Sequence, residues 1–260
     1  TLASSSAASD VYKRQGALTI TGSGTGALTL TGANTFSGDI DMDTGSLVIG
    51  GAGKLGNGSN VYAGAIANET TLTYSSSATQ TLSGAISGAG AVVKDTDASV
   101  LTLSGTNTFT GNLTVNLGTV DVTGTLAAGV DVVVADAAAI YAVSASDTIN
   151  TLTVGAAGKA QLDSGQTLTI AATSAIAGIV QGDGNLSITG GTTTLSAANT
   201  YAGTTTIAAG ATILIDGGGK LGNGSNVYAG AISNAGTLDY DSTANQTLSG
   251  IISGAGALTI

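Results

Sequence analysis

The sequence lacks cysteine, histidine, proline and tryptophan in all of its 260 residues. Without cysteine and histidine, the usual zinc ligand sets, haem ligation by these residues, disulfides, and Ser-His-Asp or Cys-His catalysis are excluded. Only carboxylate, lysine and tyrosine chemistry remains, and we expect no cofactor. Because aromatic residues make up 3% of the chain, a core of bulky interdigitating side chains is hard to build.

Charge is scarce as well, and most of it is negative. Charged residues form 8% of the chain, and 16 acidic residues outnumber six basic ones, for a net charge of −10. A negative chain repels phosphate backbones, so the composition predicts no nucleic-acid partner. The most apolar stretch, Val130 to Val143, is interrupted by Asp131 and Asp136 and is too short for a membrane helix, which predicts no membrane insertion.

The first fifteen residues differ in character from the rest. They contain Lys13 and the single arginine of the chain, Arg14. The segment Asp10 to Gln15, DVYKRQ, resembles the translation of a transposon end used in preparing sequencing libraries. We therefore interpret residues 1–15 as a non-native leader and expect one β-structured domain over residues 16–260.

Internal repeats are the main signal in this domain. Residues 54–91 align with residues 220–257 at an offset of 166, and 30 of the 38 positions are identical. A second motif reads Asn, then Thr or Val, an aromatic residue, any residue, and Gly. It holds five of the eight aromatic residues outside the leader, and its five copies are Asn34, Phe36 and Gly38; Asn60, Tyr62 and Gly64; Asn107, Phe109 and Gly111; Asn199, Tyr201 and Gly203; Asn226, Tyr228 and Gly230.

The aromatic position of this motif has two interpretations. One aromatic residue per repeat favours a stacked core or corner residue, which is the interpretation we prefer. A row of rings that stacks on sugars is the alternative.

Short segments of alternating residues lie between the motifs. Examples are Leu18-Thr-Ile20, Leu101-Thr-Leu103 and Leu168-Thr-Ile170, each followed within a few residues by a turn-forming residue. An alternation of period two predicts strands with one buried and one solvated face. Near-identical repeats of small residues favour stacked coils over a sandwich, so we predict an all-β parallel β-solenoid with about 22 residues per coil.

The residue sequences of the repeats resemble those of a known family. Leu82 to Ala91, Leu101 to Gly111 and Leu248 to Ile260 are similar to the autotransporter-associated β-strand repeat, also called the passenger-associated transport repeat. The resemblance covers most of 16–260 and is poorest at 125–181. It implies a right-handed parallel β-helix, here a fragment of a longer rod. It also implies a C-terminal outer-membrane barrel as partner, absent from this sequence, and display at the bacterial cell surface or release.

From this resemblance we expect a non-enzymatic surface stalk, which itself binds host or surface glycans, proteins or sister molecules. A glycan hydrolase or lyase is one alternative, because paired carboxylates such as Asp239 and Asp241 serve that chemistry. An ice-binding solenoid is another, suggested by Thr-x-Thr pairs such as Thr19 and Thr21, although the pairs do not persist along one column.

Two smaller expectations concern single positions. Asp39, Asp41 and Asp43 alternate, so their carboxylates are a weak candidate for a calcium site, against the plainer interpretation of a solvated outer face. Thr193 stands where Leu28 and Leu101 stand in the other repeats, which predicts a weaker strand there.

Overall fold

The computed structural model describes residues 16–21, 24–56, 60–135, 138–222 and 226–260, and within one strand the side chains of residues 97 and 98 are not described. The predicted leader, residues 1–15, lies outside the described residues. Over the described ranges the regular structure is β-strand without helix, and the strand pairs are parallel. The described residues form two compact units, which divide between Ala127 and Ala128.

The first unit contains eleven strands among its described residues. They are β1 (Leu18–Ile20), β2 (Ala27–Leu30), β3 (Ile40–Met42), β4 (Ser46–Gly51), β5 (Val61–Tyr62), β6 (Ile66–Asn68), β7 (Thr71–Ser76), β8 (Gln80–Leu82), β9 (Ile86–Ser87), β10 (Ala91–Leu103) and β11 (Leu113–Val122).

The second unit contains eighteen strands among its described residues. They are β12 (Asp131–Val134), β13 (Ala139–Val143), β14 (Asp147–Ile149), β15 (Thr151–Val154), β16 (Lys159–Leu162), β17 (Thr167–Ile170), β18 (Ser174–Ile176), β19 (Ile179–Gly182), β20 (Asn185–Ile188), β21 (Thr192–Leu195), β22 (Thr205–Ile207), β23 (Thr212–Gly217), β24 (Val227–Tyr228), β25 (Ile232–Asn234), β26 (Thr237–Ser242), β27 (Thr247–Leu248), β28 (Ile252–Ser253) and β29 (Ala257–Thr259).

Each unit is a stack of coils, and each coil has three faces. Every strand pairs with strands of the coils next to its own. In the first unit the first face is β1, β3, β6 and β9. The second face is β2, β4, β7 and the first parts of β10 and β11. The third face is β5, β8 and the last parts of β10 and β11. The unit is therefore a parallel β-solenoid, as the sequence predicts.

The second unit repeats this arrangement. Its first face runs through β14, β17, β20, β22, β25 and β28. Its second face runs through β12, β15, β18, β21, β23, β26 and β29. Its third face contains β13, β16 and β19, and further on β24 and β27. The segment with the poorest resemblance to the repeat, 125–181, thus supplies coils of the same kind.

Alternation decides which side chains point inward. In β4, Leu47 and Ile49 are fully buried while Val48 between them is half-buried and faces outward. Because the pairs are parallel and in register, inward residues meet inward residues of the next coil. One such column in the first unit consists of Leu28, Leu47, Leu72, Val92 and Leu113.

One local feature differs from the sequence expectation, and a second concerns Thr193. The strands β10 and β11 are 13 and 10 residues long, because each runs through two faces without a break between them. The strand at Thr193 is four residues long, as is β2, and it pairs in full register with β23. The threonine places a hydroxyl inside the core without shortening the strand, and a weaker strand there stays a prediction.

Candidate functional site: the asparagine, aromatic and glycine motif

The five motif copies occupy two kinds of place rather than one column. In the first unit the rings of Phe36 and Tyr62 lie in adjacent coils, with their centroids 5.9 Å apart and nearly perpendicular. In the second unit the rings of Tyr201 and Tyr228 form an equivalent pair at 5.5 Å. Phe109 is also buried, but its backbone N–H bonds to Ile86 of β9, on the first face. Position in the chain alone therefore does not fix the face.

The asparagine side chain joins three coils. Asn199 is buried, and its Nδ2 donates to the carbonyl of Ala197 at 3.0 Å and to that of Lys220, one coil later, at 2.8 Å. Its Oδ1 accepts the backbone N–H of Val180, one coil earlier, at 2.8 Å. Asn107 makes the same three bonds with its own neighbours. These bonds provide hydrogen-bond partners for backbone groups on three successive coils.

Asn60 and Asn226 use their side chains differently. The Oδ1 of Asn60 accepts a hydrogen bond from Lys54 Nζ at 2.5 Å, and that of Asn226 accepts one from Lys220 Nζ at 2.6 Å. Both bonds lie at the exposed surface. The two copies of the long repeat therefore share side-chain bonds as well as sequence.

Two tyrosine hydroxyls of the motif bond to the glycine carbonyl of the preceding copy. Tyr62 donates to the carbonyl of Gly38, and Tyr228 donates to that of Gly203 at 2.6 Å. Thr205 Oγ1 lies 2.7 Å from the hydroxyls of both Tyr201 and Tyr228. Burial raises the pKa of Tyr62, Tyr201 and Tyr228 above the ordinary value, so these hydroxyls stay protonated and remain donors.

The motif glycines lie where the backbones of neighbouring coils approach most closely. A Cβ on Gly64 would overlap the carbonyl of Gly38, and one on Gly203 would overlap the carbonyl of Gly184. A Cβ on Gly111 would meet the backbone of Gly90 in the same way. The glycine is required by this close approach and not by an unusual φ angle. Taken together, the motif's polar groups and rings hold one coil against the next.

The three aspartates of the candidate calcium site lie on the outer side of β3 and its flanks. Asp39, Asp41 and Asp43 are all exposed, and a carboxylate oxygen of Asp39 accepts the backbone N–H of Ala65 at 2.8 Å. Among the residues that the structure describes, no group of three or more acidic side chains is placed to hold a metal ion. The arrangement favours a solvated face, and calcium binding stays a prediction.

The columns of hydroxyl groups differ between the units. In the first unit Thr19 lies opposite Asp41 and Thr29 opposite Val48, so the Thr-x-Thr pairs there do not continue along a column. In the second unit one outward column of the first face carries a hydroxyl on six successive coils of the described chain. Its members are Thr148, Thr169, Ser187, Thr206, Ser233 and Ser253. The repeats of the sequence did not reveal this column, because its members are a mixture of threonine and serine in dissimilar segments.

Gln80 and Lys94 are two buried polar side chains that sequence reasoning missed. Gln80 is fully buried and bonds to the backbone of Leu55. Lys94 is fully buried, with Nζ 5.9 Å from the ring centroid of Tyr74 and bonded to the carbonyl of Thr96. A signal for Gln80 was present, because a glutamine recurs at the same place, Gln246, in the second copy of the long repeat.

The three-faced coils and their hydrogen-bonded corners define the class: a repeat protein with a parallel β-solenoid fold. Three segments, residues 20–49, 95–122 and 190–214, match the family model described as the passenger-associated-transport-repeat. The resemblance inferred from the sequence is thereby confirmed at these segments, and the chain carries a repeat associated with autotransporter passengers. No curated protein and no solved structure matches the chain.

The helix content of the chain was also compared with the requirements for crossing a membrane. In the part of the chain that the structure describes, no helix has the length and apolar character needed to cross a bilayer.

Proposed function

We propose that the chain is a non-catalytic, structural segment of the secreted passenger of a bacterial autotransporter. The observation that carries this proposal is the combination of in-register coils with three copies of the passenger-associated repeat. A solenoid whose coils are joined by asparagine side chains at motif corners is suited to a stalk that displays adhesive surfaces away from the cell. The C-terminal outer-membrane barrel of the same autotransporter is the partner that this function requires.

The chemistry of the chain suits export in an unfolded state. A chain that crosses a narrow pore must not carry disulfides formed in the oxidising periplasm, and this sequence has no cysteine. Each coil contacts only its neighbours, so folding propagates from one coil to the next as the chain emerges. Folding outside the cell then biases transport outward.

The adhesive part of the proposal rests on the outer surface. Outward positions of the second unit carry threonine and serine hydroxyls on six successive coils of the first face. Hydroxyl groups both donate and accept hydrogen bonds, as do glycans and protein backbones. Glycans or proteins at host or other surfaces are therefore the ligand class that we propose, together with sister molecules.

An export assay tests this function. The 260-residue chain is placed between a secretion signal and an autotransporter barrel, and surface appearance is followed by protease accessibility. Gly203→Ala, which forces a Cβ against the Gly184 carbonyl, is expected to slow surface appearance several-fold. Gly129→Ala is the matched control, because nothing lies within 4 Å of a Cβ at that position.

Equal export rates for both variants would contradict the role of coil stacking in export. A second measurement addresses catalysis: the purified chain is incubated with acidic polysaccharides, and we expect no new chain ends. If the chain cleaves these polysaccharides and the cleavage disappears in the Asp39→Asn, Asp41→Asn or Asp43→Asn variant, the chain is a glycan-acting enzyme and the stalk proposal is wrong.

A further inference from the structure

Each unit contains one coil that is longer than its neighbours. In the first unit Leu47 pairs with Leu72, 25 residues later, whereas Leu72 pairs with Val92 after 20 residues. In the second unit Ile213 pairs with Leu238 after 25 residues, and Ile232 pairs with Ile252 after 20. These two coils contain the start of the duplicated segments, at Lys54 and Lys220. The extra residues must be accommodated without breaking the stack.

A glutamine amide closes the long coil of the first unit. Leu55 is buried and lies outside the strands, and among the described residues no strand pairs with its backbone. Its N–H donates to Gln80 Oε1 at 2.9 Å, and its carbonyl accepts from Gln80 Nε2 at 2.5 Å. Gln80 lies 25 residues later, in the next coil, and is itself fully buried. One side chain thus makes both bonds that a neighbouring strand makes elsewhere.

The second unit contains the same two bonds, made there by the half-buried Gln246. The N–H of Leu221 donates to Gln246 Oε1 at 3.0 Å, and the Leu221 carbonyl accepts from Gln246 Nε2 at 2.5 Å. A serine hydroxyl secures each coil nearby: Ser76 Oγ donates to the Gly53 carbonyl, and Ser242 Oγ donates to the Gly219 carbonyl, both at 2.7 Å. The bonding pattern therefore belongs to the long coil as such.

Leaving these groups unpaired would be costly. A buried backbone donor or acceptor without a partner costs about 1 to 3 kcal/mol, so removing the amide would leave two such groups at one residue. Solvent cannot replace the glutamine unless Leu55, which is 1% exposed, leaves the core. The stability of the base of the long coil therefore depends on a single side chain from the following coil.

We propose that Gln80 and Gln246 are locking residues, each of which holds one long coil shut and makes it a local cooperative unit with the coil that follows. Opening of such a coil requires the glutamine amide to release the leucine backbone. The lock is independent of the other unit, because each glutamine bonds within its own. This inference concerns folding of the chain and goes beyond the proposed display function.

Hydrogen exchange at two backbone amides tests the lock directly. The Leu55 N–H donates to Gln80, and the Leu221 N–H donates to Gln246. In the full chain, Gln80→Met removes the amide and keeps the length of the side chain. We expect the Leu55 amide to exchange roughly tenfold faster or more, while the Leu221 amide is unchanged. Gln246→Met should give the reverse result. Gln161→Met is the control, since Gln161 pairs with Gln181 on the outer side at 2.8 Å.

Two results would overturn the proposal. If Gln80→Met accelerates both leucine amides equally, the glutamine contributes only to global stability; if it accelerates neither, it is no lock. If the variants fail to fold, amide exchange in the unmodified chain still tests the proposal. Its Leu55 and Leu221 amides should exchange as slowly as the amide of buried Leu72, and exchange as fast as that of exposed Gly129 would refute the lock.

Discussion

Thr193 shows how a single residue departs from the pattern of the coils. Its side chain is fully buried in the second face of the second unit, between Ser174 of the preceding coil and Ile213 of the next. Its Oγ1 is buried and finds no hydrogen-bond partner in the part of the chain that the structure describes. A buried hydroxyl without a partner lowers stability, because it loses its bonds to water and gains none.

Replacing this hydroxyl by a methyl group should stabilise the protein. We expect Thr193→Val to raise the free energy of unfolding by about 1 to 2 kcal/mol, measured by urea denaturation. Thr194→Val is the control, because Thr194 points outward and is half-buried, and its effect should stay within about 0.5 kcal/mol. A loss of stability in Thr193→Val would mean that the hydroxyl has a partner in solution.

At the scale of the structural element, the corners between strands determine how closely coils approach. Gly203 follows a motif aromatic residue and precedes β22, and a Cβ there would overlap the Gly184 carbonyl and lie 2.7 Å from Asn185 Oδ1. Backbone cannot move aside as a flexible side chain can. The corner therefore tolerates only glycine, whatever its φ angle.

The corner predicts a large difference between two glycine substitutions in the same unit. Gly203→Ala should lower the free energy of unfolding by about 3 kcal/mol, since the coils must separate to admit the methyl group. Gly129→Ala, in open space, should change it by about 0.5 kcal/mol at most. Thermal or urea unfolding measures both, and equal stability of the two variants would show that the coils separate freely at this corner.

At the scale of the whole molecule, buried tyrosines determine the alkaline limit of stability. Burial raises the pKa of five tyrosines above the ordinary value of 10.0, namely Tyr62, Tyr74, Tyr141, Tyr201 and Tyr228. The folded state therefore holds these protons more tightly than the unfolded chain does. Their contribution to stability is complete below pH 10 and is lost as the pH rises through the higher pKa values of the folded state.

The free energy of unfolding should consequently fall with increasing pH above 10. Each tyrosine that is ionised only in the unfolded chain contributes a slope of about 1.4 kcal/mol per pH unit. Urea denaturation between pH 9 and 12 measures the slope, and Tyr201→Phe should reduce it by one tyrosine's share. A slope that does not change in this variant would show that Tyr201 ionises in the folded state.

Much of the architecture could be predicted from the sequence. The alternation in Leu101-Thr-Leu103 predicted inward leucines, and both are fully buried in the structure. The duplication of residues 54–91 predicted two equivalent coils, which share the bonds of Gln80 and Gln246. Local period and composition suffice for such predictions, because each strand's inward face depends only on its own residues.

The sequence by itself determined that the chain is all-β, that it is built from repeats and which side chains turn inward. Tertiary structure alone decided which face each motif occupies and which polar atoms meet. The offset between paired residues varies from 18, between Thr167 and Asn185, to 27, between Thr205 and Ile232. The partner of every residue lies one coil away, so its identity depends on the length of the whole coil and not on any local pattern.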